Sequence, residues 1–121
     1  MKQSLLLSVL ICLSCSKAVP ELSDFDQKAW KDDPKGCKGE RGRYIDPMFA
    51  QRHLLTGLSE GDLVSLLGKP DKNDLSEHHE KFYTYYFTPG PECNGGSSYT
   101  VLEVRFNATG VSKEVAIIAI D

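Results

Sequence analysis

The segment SSYTVLEVRFNATG, Ser97 to Gly110, contains an unbroken apolar and polar alternation, and this period of two most constrains the fold. Successive side chains of an extended chain point to opposite faces, so Leu102, Val104 and Phe106 share one side while Glu103 and Arg105 share the other. Such a strand belongs to an antiparallel sheet with one face on a core and one in water. Asn107 to Gly110 reads as a turn, and VSKEVAIIAI as the next strand. Upstream, KFYTYYF gives a further strand with aromatics on both faces, Phe82 and Tyr86 on one and Tyr83, Tyr85 and Phe87 on the other. Pro89 and Pro91 around Gly90 end it.

Ahead of these strands the periodicity is helical. In YIDPMFAQRHLLTG, Asp46 is placed to cap, Pro47 suits the first helical position and Gly57 stops the turn, which predicts a helix of about two and a half turns. In GLSEGDLVSLLGKPD, Ser59 caps, Asp62 completes a capping-box-like pair, and Leu63, Leu66 and Leu67 form one apolar face. Gly68 and Pro70 then terminate the helix. The Gly-Lys pair is not a phosphate loop, because it follows the helix and Pro70 stands where a hydroxyl residue is required. DKNDLSEHHEK reads as a polar connector. The predicted order is helix, helix, strand, strand, strand: an α+β domain, 45–121, with two short helices packed on a three-stranded antiparallel sheet.

The first residues, MKQSLLLSVLICLSC, carry one basic residue, then an apolar run from Leu5 to Leu13, then small residues, the pattern of a secretory signal too short to span a bilayer as a helix of about 20 residues. Leu13-Ser14-Cys15 resembles a lipobox, with 1–14 removed and Cys15 acylated. Ordinary cleavage to a soluble periplasmic chain is the alternative. Cys37 and Cys93 then remain, and in an oxidising compartment two leftover cysteines most simply pair. Closing a loop of that length is worth about 4 kcal/mol in the chain-entropy estimate. A zinc site with His53, His78 and His79 lacks CxxC or HxxxH spacing.

Charge narrows the partners. The chain holds 14 Lys+Arg and 17 Asp+Glu, and loss of Lys2 with the leader leaves the mature chain about four charges negative, so no nucleic-acid partner is expected. The exception is KGCKGERGR, where Lys35, Lys38, Arg41 and Arg43 surround Glu40. This cluster is a solvated loop surface or, with Lys38, Arg41 and Arg43, a site for an anion such as a lipid headgroup. The segment 15–44 as a whole reads as a tether passing into an irregular arm. Phe25 and Trp30 dock that arm on the core near Cys37, with Trp30 also a candidate for partner contact.

The acylatable Cys15, the segment LLTGLSEGDLVSLLGKPD, the aromatic strand KFYTYYF and the strand, turn and strand of LEVRFNATGVSKEV resemble the BamE-like (SmpA/OmlA) small outer-membrane lipoproteins and relatives with the β-lactamase-inhibitor-protein type of fold. The resemblance spans Pro47 to Asp121. It implies a non-enzymatic accessory or scaffolding lipoprotein on the periplasmic side of the bacterial outer membrane, anchored through its lipid and bound to an envelope protein, with no cofactor. WKDDPKGCKGERGR departs from the lipid- and partner-contacting segment expected there. Tyr83, Tyr85 and Tyr99 are the aromatic candidates for partner binding. An inhibitor-like module that blocks a periplasmic enzyme with the concave sheet face is the second expectation. No GxSxG, no HExxH and no carboxylate pair spaced for acid and base work points to an enzyme.

Overall fold

The computed structural model describes residues 18–94 and 96–121. The signal peptide expected at 1–14 and the acylation expected at Cys15 fall outside the described residues.

The chain is an α+β fold. Among the described residues, three α-helices, α1 (Gln27–Lys31), α2 (Ile45–Ala50) and α3 (Glu60–Leu67), pack on a sheet of β1 (Lys72–Leu75), β2 (Lys81–Tyr86), β3 (Tyr99–Phe106) and β4 (Ser112–Ile120). The strands lie in the order β1-β2-β3-β4, every neighbour antiparallel. The sheet thus has four strands where the sequence pattern predicts three. The fourth is β1, inside the stretch read as a polar connector. All four of its residues are exposed, so neither face buries an apolar row and no alternation is written into KNDL. Backbone pairing with β2 alone makes it a strand, Lys72 opposite Thr84 and Leu75 opposite Lys81.

The helix layer differs in two places. Among the described residues, α1, within the segment read as an irregular arm, makes three α-helices where the sequence pattern predicts two, because the Asp26 carboxylate caps QKAWK and Trp30 buries its face. The predicted helix over Asp46–Leu55 is broken into α2, which already begins at Ile45, and a 3₁₀ turn over Arg52–Leu55. Asp46 therefore sits in the first turn of α2 rather than at its cap. In α3 the expectation holds: Ser59 Oγ accepts the Asp62 N–H at 3.1 Å, and Gly68 closes the helix with φ 81°, a conformation that favours glycine.

The alternation of the strands decides the core. Tyr83, Tyr85 and Phe87 of the β2 segment line up with Leu102, Val104 and Phe106 of β3 and with the partly buried Val115 and Ile117 of β4. Against them the helix layer sets Tyr44, Met48, Leu55, Leu58, Leu63, Leu66, Leu67 and Trp30. Burying each of these large side chains contributes about 1.5–3 kcal/mol.

The arm belongs to that same core. Trp30 is 0% exposed, its ring 5.4 Å from Phe87, and Phe25 packs on Trp30 and Tyr44 at 5.5 and 5.1 Å. Trp30 Nε1 donates to Leu67 O at 2.9 Å, Tyr85 Oη to Gly68 O at 2.8 Å and Lys31 Nζ to Ser65 O at 2.7 Å. The carbonyls that the end of α3 leaves without helical partners are thus satisfied by the arm on one side and the sheet on the other. Cys37 and Cys93 stand at disulfide distance, Cα atoms 5.2 Å apart, which staples the arm to the loop between β2 and β3.

Candidate interaction surface

The segment DDPKGCKGERGR builds a charged junction rather than an open basic patch. Asp33 is fully buried, and its carboxylate accepts the backbone N–H groups of Lys38, Glu40 and Arg41 at 2.6, 2.8 and 3.1 Å, which folds the loop around it. Gly36 makes the turn with φ 65°, and a Cβ there would meet Thr88 C, Thr88 O and Tyr86 O at 3.2 Å. Arg41, expected among the anion-binding residues, points inward instead. Its side chain is 2% exposed, Nη1 lies 2.8 Å from Asp71 Oδ2, Nε donates to Trp30 O at 2.9 Å, and the guanidinium stacks 4.5 Å from the Trp30 ring. Asp71 completes the junction by accepting the N–H groups of Tyr86 and Lys35, both at 2.9 Å. The buried carboxylate explains why Arg41 leaves the cluster: a desolvated guanidinium needs a fixed partner, and its planar fork suits one.

What remains of the basic cluster is exposed but largely paired. Arg43 bonds Glu40 at 2.6 Å and Lys35 bonds Glu92 at 2.5 Å, while Lys38 is exposed. The hydrogen bond to Glu92, reinforced by its charge, holds the Lys35 ammonium above its ordinary range. The expected anion site is thus reduced to Lys38 and Arg43.

Three of the four aromatic candidates for partner contact are core residues. Trp30 and Tyr85 are 0% exposed and Tyr83 is 7% exposed, all packed under the helices. The sequence grouped Tyr83 and Tyr85 on one face but could not say which β2 face the helices cover. Tyr99 alone is partly exposed, its ring 5.4 Å from Tyr86. Tyr83 is tied further to α3: its hydroxyl donates to Glu60 Oε1 at 2.8 Å, and Lys81 Nζ lies 3.1 Å from the same oxygen. Burial and the adjacent Glu60 carboxylate push the Tyr83 phenol up to about 12. Partial burial works to raise Glu60, but the Tyr83 and Lys81 hydrogen bonds outweigh it and hold the carboxyl below its ordinary value.

Among the described residues, no helix covers the other face of the sheet. Cross-strand registry sets Asp74, Phe82, Arg105 and Glu114 in one row, and Lys72, Thr84, Glu103 and Ala116 in the next. Arg105 organises the first row, with Nη1 2.5 Å from Glu80 and Nε 3.3 Å from Glu114, and the Glu80 bond raises its already high pKa. Toward the loop between β2 and β3, Tyr86 and Val101 are buried, and Gly90 packs so closely that a Cβ would come within 2.9 Å of the Tyr86 ring. Ile118 at the opposite edge is 37% exposed. The Glu103 and Arg105 alternation marked this face in the sequence, but Phe82 and Ile118 were not singled out, because an apolar residue on a wet face carries no pattern of its own.

His53, His78 and His79 are all exposed, and among the described residues no group of three His, Cys, Asp or Glu could hold a metal ion. Also among the described residues, no helix is long and apolar enough to cross a membrane. Comparison with known protein families, curated proteins and solved structures finds no match.

Proposed function

We propose that this chain is a non-enzymatic binding or scaffolding module of the bacterial envelope, held on the periplasmic side of the outer membrane by acylation of Cys15 and related to the BamE-like lipoproteins. The observation that carries the reading is the division of the sheet into a helix-covered face and an open face. The open face displays Phe82, Arg105, Glu103 and Ile118 on a framework braced by the Cys37–Cys93 pair and the Arg41–Asp71 junction. A rigid, half-polar sheet surface suits recognition of a protein partner. The secretory pattern before Cys15 and the pairing distance of Cys37 and Cys93 agree with an oxidising compartment.

Intact-mass spectrometry of the protein from its native membrane fraction, with and without reduction, tests the reading. The expected result is a chain that begins at an acylated Cys15 and gains two hydrogens on reduction. An unacylated chain in the soluble fraction, beginning beyond Cys15, refutes the anchor.

A further inference from the structure

The two edges of the sheet are built differently. Strand β1 is four residues long, carries Lys72 and Asp74, and is exposed throughout, the usual means of discouraging a further strand. Strand β4 is nine residues long, and from Val115 to Ile120 it holds no charge, no proline and no glycine. Among the described residues, backbone bonds cover only its start: the Gly57 N–H donates to Ser112 O and the Ser112 N–H to Leu58 O, both at 2.8 Å. The register irregularity opposite Arg105 and Phe106 lies at that same end. Beyond it, no strand among the described residues pairs with the outer edge of β4.

We propose that β4 pairs antiparallel with β4 of a second copy of this chain, across a two-fold axis at Ile117, so that two sheets continue as one of eight strands. Charge complementarity selects the occupant and the register. With Ile117 opposite itself, Lys113 of each copy faces Asp121 of the other, and two opposite-charge pairs bracket an apolar centre. Val115 then meets Ala119, and Ala116 meets Ile118, which covers the exposed large apolar side chain of the strand. Glu114 falls opposite Ile120, where its carboxylate is already held by Arg105 of its own chain. Centring on Ala116 instead sets Lys113 against Ala119, and centring on Ile118 sets Asp121 against Val115; both lose the charge pairs. Residues of equal parity share a face, so pairing about Ile117 keeps both helix layers on one side of the joined sheet. The proposal does not depend on acylation of Cys15, and a monomeric chain would leave the binding-module reading standing.

Sedimentation velocity of the full chain in detergent, over a range of concentrations, is expected to show a reversible dimer. Ile118→Lys, at an exposed position that leaves the core untouched, is expected to abolish it with circular dichroism unchanged. Lys113→Glu is expected to weaken the dimer roughly tenfold, and adding Asp121→Lys to restore it. Oxidation sets the register: with Cys12 and Cys15 changed to Ser, Ile117→Cys is expected to form a covalent dimer and Val115→Cys is not. A monomer at every concentration, a dimer indifferent to Ile118→Lys, or equal crosslinking at positions 115 and 117 would overturn the proposal.

Discussion

Replacing Asp71 by alanine tests the junction between arm and sheet most directly. The substitution removes one carboxylate but three bonds: Arg41 Nη1 at 2.8 Å and the backbone N–H groups of Tyr86 and Lys35 at 2.9 Å. Arg41 and Asp71 have side chains only 2% and 4% exposed, so water cannot take the place of the lost partner. Breaking a buried pair from one side costs about 3–5 kcal/mol, because a charge is left buried without compensation. Arg41 keeps its bond to Trp30 O and its stacking on the Trp30 ring, which offsets part of that loss. The orphaned Tyr86 N–H adds about 1–3 kcal/mol in the other direction. The net expectation is about 4 kcal/mol, or a fall in Tm of roughly 15–30 °C for a domain of this size. Urea unfolding followed by fluorescence measures it, since Trp30 is the one tryptophan of the chain and stacks against the perturbed guanidinium. The double variant R41M/D71L should recover part of the loss, because it removes the uncompensated charge but still leaves the Tyr86 and Lys35 N–H groups without the acceptor that Asp71 gave them. Lys28→Ala, which breaks the exposed pair with Asp32, should change nothing measurable. A loss of less than about 1 kcal/mol in D71A would refute the reasoning, as would a double variant no more stable than the single one.

Removing the Cys37–Cys93 pair by C37S/C93S should cost about 2–4 kcal/mol, read as a lower urea midpoint that equals the parent's midpoint under reduction. Alkali should act through Tyr83, whose folded pKa of about 12 lies above the ordinary 10.0. The raised value favours the protonated folded state, so the contribution is fully present below pH 10 and is lost as pH rises from 10 toward about 12, an effect of roughly 3 kcal/mol. Y83F should therefore show a shallower decline of stability above pH 10 than the parent, measured by urea titration, and equal slopes would count against it.

The parts of the fold legible in the sequence are those where one face is buried and the other is wet. Strands β3 and β4, the cap at Ser59 and the stop at Gly68 follow from local pattern, because each residue's role is set by its neighbours in the chain. Strand β1 left no such trace, because it buries nothing and exists by pairing with β2. The partner-contact aromatics failed for the opposite reason. KFYTYYF is apolar on both faces, so alternation groups Tyr83 with Tyr85 but cannot say that the helices lie over them. Arg41 looks like its neighbours in KGCKGERGR until Asp71, 30 residues later, is brought beside it by the tertiary fold. The open sheet face was half visible, through Glu103 and Arg105, while Ile118 gains meaning only from the free edge on which it stands.

The end of α3 has a consequence for where the folding unit begins. Its last carbonyls accept from Trp30 and Lys31 before it in the chain and from Tyr85 after it, so one helix terminus is completed by residues more than 50 positions apart. Cutting the chain at residue 45, where the sequence pattern starts the α+β domain, would leave Leu67 O without its donor and uncover the core wall formed by Trp30. The arm is therefore not a leash on a finished domain. Helix, sheet and arm share their bonds at a single point, and loss of structure in any one of them is felt by the other two in the same cooperative transition.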